Sequence, residues 1–515
     1  MSNENRRVTP ETWTVKQKNW IIAAVSLAYL MVMMDYSILN VALQTIQQHF
    51  QASNSQLQWA VVAYEIPYCS LLLPAGFLAD RFGRKRILTI GLTLFLLSSC
   101  GIALSDNMEA LIMWRVGMGI GGAVVPATTL AIIKNTFTSK EQSKVLGIWS
   151  AAGGASVAFG PILSGLLIRF LPWWSIFLIN IPIVLCCVLI IGRYVVESVN
   201  RFDTAIDFWG SLMCITGISV LMYGLVQMGQ SHHGLFDPLV SGSLLLGLIL
   251  IMVLVFFETR QKDPLLALNL FKNSGFSFGT LAISCAYFAL SGGTYVLVFF
   301  MQLIRHNTPL MLGLLMFPVA GGAIIGSLAS ARLSRSFGAK AIATAGLLII
   351  ASGFIIFSWS NQHTLVLMIE IGFLLSGVGM GLAMGATTQL TMAAVSAEKA
   401  GAGAGLTNTV RGLISIVGVG VLGTLYSMVY RQYLTNALSP SADKLGLKIY
   451  TLESLSQTRT ALNHSSIVTT AKIAIRLKAD DAFLFAFHTS MWTAVAVLIG
   501  TACMGLFELF RPSVK

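Results

Sequence analysis

Charged side chains are scarce in this chain. Asp, Glu, Lys and Arg make up 10% of its 515 residues and hydrophobic residues 55%, whereas ordinary soluble proteins carry roughly 25% charged residues. A mean hydropathy of +0.77 indicates that most of the chain lies in lipid. The scarcity of charge therefore excludes a soluble globular protein and predicts an all-α integral membrane protein.

The chain also lacks the patterns of a metal centre, a disulfide framework or a nucleotide site. Its seven cysteines lie in apolar segments without a CxxC pair, where cysteine behaves as a small buried hydrophobic residue. The GxGxxG pattern at 418–423 lies inside an apolar segment with no strand before it, so it is not a dinucleotide fingerprint. We expect no metal, no cofactor and no enzymatic activity.

Long apolar runs divide the chain into fourteen segments of about 18–28 residues, the length that crosses a bilayer as a helix. A cleavable signal peptide is not expected, because residues 1–18 are polar and the first apolar run is too long. The predicted spans are 19–43, 56–78, 87–105, 110–133, 145–168, 173–192, 207–228, 238–257, 275–302, 309–331, 340–359, 364–392, 403–428 and 483–508.

Lysine and arginine are concentrated on one side of these spans. With the N-terminus inside, 22 of the 33 Lys and Arg residues lie in cytoplasmic segments and 2 in the short outer loops. Short loops rich in Lys and Arg stay in the cytoplasm, so both termini, 1–18 and 509–515, are predicted to be cytoplasmic. The same placement accounts for the net charge of +12 without a nucleic-acid partner. A longer outer loop, 429–482, contains a segment, 471–478, that is either an amphipathic element on the membrane surface, a gate or a partner contact.

The sequence GFLADRFGRKR at residues 76–86, here called the signature loop, joins the second and third spans. It resembles the loop between helices 2 and 3 of the major facilitator superfamily. The resemblance implies a conformational latch, in which Asp80 closes onto the start of a second-half helix by attraction to the helix dipole. By repeat position, the thirteenth span is the expected partner. The residues assigned to the latch are Gly76, Asp80, Arg81, Gly83, Arg84 and Arg411.

The chain repeats itself. The glycines of 117–123 recur in 377–383 at an offset of 260, and residues 335–340 are a degenerate copy of 80–85. Two parallel repeats of six spans match the two halves of a facilitator transporter. The predicted bundles are 19–192 and 275–508, with two additional central helices at 207–257. This arrangement resembles the fourteen-span drug:proton antiporters of the superfamily (EmrB/QacA type).

Ionisable residues inside a membrane are costly and are functional candidates by default. By a rise of about 1.5 Å per residue, four of the five share one layer in the outer half of the membrane, and the fifth lies nearer the inner face. The five residues are Asp35, Glu65, Arg115, Glu370 and, nearer the inner face, Arg411.

Asp35 lies in MDYSILNVAL, residues 34–43, which resembles the first-helix signature of the drug antiporters, where the acid is tied to proton coupling. Arg115 begins RVGMGIGGA, which resembles the family pattern R-x-x-Q-G-x-G with Met118 in place of the glutamine. Burial and a nearby arginine act in opposite directions on such a carboxyl. The pair either couples protons or statically locks two helices together.

The remaining acids keep several interpretations. Glu65, beside Pro67, is a second proton carrier, a cation-binding acid or a polar pivot. Glu370 is the deep acid of the second half, and it either contacts a substrate cation or extends outward to the interface.

SVAFGPILSG at residues 156–165 resembles the antiporter signature GxxxGPxxGG, with serine at two glycine positions. Gly160, Pro161 and Gly165 carry the resemblance, which implies efflux rather than symport. Aromatic and methionine side chains suit large flat cations. The expected cavity residues are Tyr36, Tyr64, Tyr68, Met118, Trp149, Phe159, Tyr295, Phe317 and Glu370.

Together these observations predict a proton-coupled antiporter of a bacterial plasma (inner) membrane that exports amphipathic, cationic drugs or biocides. Asp35 and Arg115 would couple protons, with Glu65 assisting. The alternative is an exporter of a specific metabolite, siderophore or neutral antibiotic on the same fold. The expected partners are small molecules, protons and the bilayer, and the sequence leaves open whether a periplasmic adaptor is required.

Overall fold

The computed structural model describes residues 13–198, 208–231, 234–260, 268–395, 400–438, 454–464 and 469–510. Within these ranges the regular elements are helical. Short 3-10 turns lie at Gly234–Phe236 and Leu268–Lys272, and one π turn lies at Phe300–Ile304. The helices are α1 Val15–Phe50, α2 Asn54–Phe82, α3 Arg84–Ala103, α4 Met108–Thr136, α5 Ser139–Phe170, α6 Ser175–Leu178, α7 Asn180–Tyr194, α8 Phe208–Gln230, α9 Pro238–Arg260, α10 Ser274–Phe299, α11 Pro309–Leu315, α12 Phe317–Phe337, α13 Ala339–Ser358, α14 Val366–Ala393, α15 Ala400–Leu438, α16 Leu455–His464 and α17 Thr469–Phe510.

Twelve helical segments in the described part of the chain are long and apolar enough to cross a membrane. A thirteenth results if Asn54–Leu72 and Pro74–Phe82, which meet at 56°, count as one bent span. Proline removes a backbone donor and bends a helix in this way. The fifth predicted span lies within α5, where Phe159–Phe170 is the apolar part. The all-helical membrane fold is therefore confirmed, while the count of fourteen stays a prediction.

Helices at the end of the chain extend beyond the predicted spans. α15 continues to Leu438, and α17 begins at Thr469, well before the predicted start at 483. Much of the predicted outer loop 429–482 is therefore helix, including segment 471–478 and the short α16. Hydropathy marks the apolar part of a helix and not its polar turns, which explains the difference. Of the predicted termini, 1–18 and 509–515, residues 1–12 and 511–515 lie outside the described residues.

Close helix packing in each half depends on glycine. In α4, a Cβ at Gly119 would collide with the backbone carbonyl of Tyr64 in α2, and a Cβ at Gly121 would come within 2.6 Å of the Gly91 oxygen in α3. In α14, Gly379 faces α13 and Gly381 faces α12. Each of these glycine-rich helices is thus held between two neighbours at backbone contact.

The structure corrects the register of the repeat. At an offset of 260, Gly119 pairs with Gly379, yet Gly119 packs on the second span of its half and Gly379 on the third span of its own. Residues two positions apart lie on nearly opposite faces of a helix. The sequence alignment therefore superimposes the glycines but exchanges the helix faces on which they lie.

Polar contacts between the halves lie at the end of the bundle opposite the signature loop. Tyr295 of α10 donates from its hydroxyl to Asn54 Oδ1 of α2 at 2.8 Å. Asn54 Nδ2 in turn donates to Ser427 Oγ of α15. Gln302, in the π turn, donates from Nε2 to the carbonyl of Val41 in α1 at 2.9 Å. We call this group the outer seal, because it closes that end between the halves.

The central pair, α8 and α9, packs beside the junction of the halves. Thr424 of α15 donates from Oγ1 to the Leu225 carbonyl of α8 at 2.7 Å, and Arg431 Nη2 donates to the Ser231 carbonyl at 2.6 Å. α8 also contacts α2. α8 therefore touches both halves along the α2–α15 side, and α9 packs on α8.

Replacing Gly119 by alanine should destabilise the protein, because the added methyl group has no space against the Tyr64 backbone. Overpacking of this kind costs about 1–3 kcal/mol. The matched control is Gly500→Ala in α17, where nothing lies within 4 Å of an added Cβ. Thermal unfolding in detergent should show a lower melting temperature for Gly119→Ala and no loss for Gly500→Ala. Equal behaviour of the two variants would contradict the packing described here.

Candidate functional site

An ion pair between α1 and α4 lies inside the first half. Arg115 Nη1 donates to Asp35 Oδ2, and both side chains are 1% exposed. Arg115 Nε also donates to the Ala60 carbonyl of α2 at 2.9 Å. Asp35 Oδ1 is buried and has no hydrogen-bond partner among the described residues. Buried polar atoms nearly always have a hydrogen-bond partner. Oδ1 is therefore the atom of this ion pair that could accept a proton or a further hydrogen bond.

Tyr64 holds the arginine from the α2 side. The Arg115 guanidinium lies 4.5 Å from the centre of the Tyr64 ring, a cation–π contact. The Tyr64 hydroxyl donates to the Val32 carbonyl of α1 at 3.1 Å. Gly119, one turn after Arg115, lets α4 approach the Tyr64 backbone. Three helices thus fix the position of one guanidinium.

Glu65 lies next to this pair and is 3% exposed. Its charge interacts with that of Arg115, but within the described ranges its carboxyl makes neither a hydrogen bond nor an ion pair. A buried carboxyl without a partner is costly when charged. Asp35, Arg115 and Glu65 are therefore brought together, as their shared depth predicts.

The signature loop is held by contacts within the first half. Arg84 Nη2 contacts Asp80 Oδ1 at 2.7 Å, and Arg84 Nη1 reaches the Ala131 carbonyl of α4 at 3.5 Å. Gly76 faces Ala127 of α4 at ordinary contact distance. Asp80 is thus paired with its own loop in this conformation, and Arg81, exposed at the end of α2, is turned to its neighbour Phe82.

Glu197, after α7, is a site residue that the sequence analysis missed. Its two carboxylate oxygens accept the backbone N–H groups of Lys85 and Arg86, each at 3.0 Å. A carboxylate at a helix N-terminus satisfies free donors and the helix dipole. Gly83, at φ +106°, leaves the space that this carboxylate occupies, 2.5 Å from where a Cβ would lie. In the sequence, this residue could have been noticed as an acid shortly after the predicted sixth span, 173–192.

The antiporter-like motif of α5 contacts both halves. A Cβ at Gly160 would collide with Ser37 Oγ of α1, two residues from Asp35. On the other side, Gly165 packs on the backbone of Leu310 in α11, and Gly313 of α11 packs on the carbonyl of Pro161. The motif therefore positions the first helix and forms part of the contact between halves.

Three of the predicted cavity residues are buried in this conformation, and their assignment to a cavity stays a prediction. Tyr64, Met118 and Tyr295 are 1%, 0% and 0% exposed, so they line no open space in this conformation. Tyr295 belongs to the outer seal, and Met118 packs inside the first half. Phe159 and Phe317, by contrast, are 58% and 55% exposed.

The remaining cavity residues differ in their contacts and exposure. Trp149 stacks on Tyr29 with ring centres 3.8 Å apart. Tyr68 is partly exposed and stacks on Tyr64 at 5.7 Å. Glu370 is partly exposed near the start of α14, apart from the other acids. The side chain of Tyr36 lies outside the described residues.

Arg411 does not meet Asp80. Its guanidinium lies 4.5 Å from the ring centre of Tyr287 in α10. It is eleven residues from the start of α15 at Ala400, which corresponds to a rise of roughly 17 Å. A latch on the start of α15 would therefore involve the helix terminus and not this side chain.

Comparison with known proteins decides the family. The sequence model of the Major Facilitator Superfamily matches residues 25–419. The chain belongs to the major facilitator superfamily. As a facilitator it is a multi-pass membrane transporter and not an enzyme.

The facilitator is similar to proteins named for drug resistance. It is 30% identical over 424 residues to the Multidrug resistance protein Stp of Mycobacterium tuberculosis, covering 82% of this chain and 78% of Stp. It is 31% identical over 418 residues to the Methyl viologen resistance protein SmvA of Salmonella typhimurium, covering 80% and 83%. In fold, it matches an inward-facing, occupied structure of a bacterial homologue of the human lysosomal transporter Spinster, with a TM-score of 0.64, 16% identity and coverage of 96% and 97%.

Alanine at Gly83 should harm this facilitator more than alanine at Gly338, the repeat-related position. Both glycines have positive φ, +106° and +85°, but nothing lies within 4 Å of a Cβ at Gly338. The shared backbone strain costs about 1–2 kcal/mol. Only Gly83→Ala also displaces Glu197. We therefore expect a lower melting temperature and lower transport for Gly83→Ala.

A double-mutant cycle isolates the contribution of the carboxylate. In a Glu197→Ala background, Gly83→Ala should cost no more than Gly338→Ala does in the wild type. If the cost of Gly83→Ala is the same with and without Glu197, the carboxylate does not explain the requirement for glycine.

Proposed function

We propose that this facilitator is a proton-coupled efflux antiporter for amphipathic drugs or biocides, cationic ones among them. The observation that carries the proposal is the buried Asp35–Arg115 pair with Asp35 Oδ1 unpartnered and Glu65 beside it. Relatives named for multidrug resistance and for methyl viologen resistance support the same transport class.

Proton exchange would occur at the carboxyls. Charged Asp35 is held by Arg115, and Oδ1 offers a free acceptor for a proton. Protonation removes the negative charge from the pair and leaves Arg115 uncompensated, a change that a low-dielectric site makes large. A proton on Asp35 or Glu65 and a cationic substrate nearby would therefore compete for the same negative charge. That competition is the physical basis of antiport.

Alternation would use the two ends of the bundle. Under the topology predicted from the Lys and Arg distribution, the outer seal would close the extracytoplasmic side, as expected of a state that faces the cytoplasm. Opening outward would break the Tyr295–Asn54 and Gln302–Val41 contacts. At the opposite end, Asp80 would then attract the N-terminus of α15, as the latch resemblance implies. We place the protein in a bacterial inner membrane with both termini cytoplasmic.

Neutralising Asp35 should abolish proton–substrate exchange. The measurement uses inside-out vesicles with an imposed pH gradient and an internal pH dye, to which lipophilic cations, including methyl viologen, are added. Wild type should release protons on substrate addition and Asp35→Asn should not, because the variant carries no exchangeable proton. Glu109→Gln, an exposed acid at the start of the same helix as Arg115, is the matched control and should behave as wild type.

Glu65→Gln and Glu370→Gln complete the series. Proton release that survives Asp35→Asn but disappears in Glu65→Gln or Glu370→Gln would move coupling to that acid. No response of wild type to any cation would contradict the cationic-drug proposal and favour neutral or anionic substrates. Melting temperatures of each variant separate loss of coupling from loss of fold.

A further inference from the structure

Arg411 is a cation far inside the span formed by α15. Among the described residues it has no carboxylate within ion-pair distance, unlike Arg115. Arginine inside a membrane normally pairs with an acid or faces a water-filled space. The side chain is partly exposed, and its helix, α15, packs both on α10 of its own half and on α2 of the other half.

One tyrosine stacks on this arginine, and two more contribute to its electrostatic surroundings. The guanidinium stacks over Tyr287 at 4.5 Å, and Tyr29 and Tyr68 lie within electrostatic range of it. All three tyrosines are partly exposed. They come from α10, α1 and α2, so the group joins both halves of the transporter. We call Arg411, Tyr29, Tyr68 and Tyr287 the arginine–tyrosine cluster.

Neighbouring contacts fix the geometry of the cluster. Gly412 packs directly on Cys69 of α2, where a Cβ would collide with the sulfur. This contact brings α15 against α2 at the residues next to Arg411 and Tyr68. On the other side, Tyr29 stacks flat on Trp149, with ring planes 12° apart. The guanidinium is thus bordered by a flat aromatic surface.

The geometry points to a subsite for a carboxylate attached to a flat aromatic molecule. We propose that the arginine–tyrosine cluster binds the anionic group of zwitterionic aromatic substrates. A guanidinium binds a carboxylate through two parallel hydrogen bonds, tyrosine hydroxyls supply further donors, and the Tyr29–Trp149 pair supplies a stacking surface.

The second charge of such a substrate also has a counterpart. Tyr68 stacks on Tyr64, and Tyr64 stacks on Arg115 beside Asp35 and Glu65. Arg115, with Asp35 and Glu65 beside it, therefore lies at the Tyr64 end of this two-tyrosine stack on α2, and Arg411 lies toward the Tyr68 end. A molecule with an ammonium group and a carboxylate matches this order of charges. The inference rests on the proposed function and extends its substrates from cations to zwitterions.

A matched pair of dyes tests the subsite. Tetramethylrhodamine carries a free carboxylate, and its methyl ester is the same cation without the negative charge. Fluorescence anisotropy with purified full-length protein gives the Kd of each. Wild type should bind the carboxylate dye at least tenfold more tightly than the ester. Arg411→Gln should remove that preference while leaving ester binding unchanged or tighter, and Arg411→Lys should keep part of it.

Arg260→Gln is the matched control, since Arg260 makes the same kind of contact, 4.2 Å over Phe256, at the end of α9. It should retain the wild-type preference. Equal affinity of wild type for the two dyes would overturn the proposal without any variant, so a poorly folded Arg411→Gln does not leave it untested. Equal loss of both dyes in well-folded Arg411→Gln would assign Arg411 a packing role and overturn it too.

The vesicle assay separates this proposal from the proposed function. If the ester is exported with proton release but wild type shows no carboxylate preference, the subsite fails and efflux stands. If neither dye is exported while wild type keeps a carboxylate preference that Arg411→Gln removes, the efflux proposal fails and the binding site stands.

Discussion

A guanidinium in hydrocarbon needs a partner, and the first half of this transporter is arranged around giving Arg115 one. Asp35 supplies the charge, the Ala60 carbonyl accepts a second hydrogen bond, and Tyr64 covers the remaining face. Removing one partner of a buried pair costs about 3–5 kcal/mol. Protonation of Asp35 would leave the Arg115 charge buried and uncompensated, at a cost of the same kind.

Backbone contact is the second constraint, and it serves the first. α4 can deliver Arg115 to Asp35 because Gly119 lets it touch α2, and α5 can lie against α1 beside Asp35 because Gly160 makes room for Ser37. At the other end of α2, Gly83 makes room for the Glu197 carboxylate. In each case the glycine has no Cβ, and the space left free allows a polar group to take its position. Glycine in this fold is therefore part of the charge arrangement as well as of the packing.

Much of this could be predicted from the sequence. Apolar runs gave the helices, and the cost of charge in lipid selected Asp35, Glu65 and Arg115 as one group. Two kinds of information were missing. Hydropathy says nothing about the polar turns of α15 and α17, so their ends were misplaced. A linear pattern also cannot show which face of a helix meets which neighbour. The glycine repeat was therefore aligned on exchanged faces, the contact of Tyr295 with Asn54 was not foreseen, and Glu197 was missed.

The central helices have a consequence for how an apolar molecule reaches the interior. α8 packs on both α2 and α15, so on that flank the seam between the halves is shielded from the lipid tails. On the opposite flank the seam runs between α5 and the α11–α12 span, where the described helices include no such cover. A compound dissolved in the bilayer therefore meets an asymmetric protein, with one shielded seam and one exposed to lipid. The two seams between the halves are therefore not equivalent, although the two halves are related by a repeat.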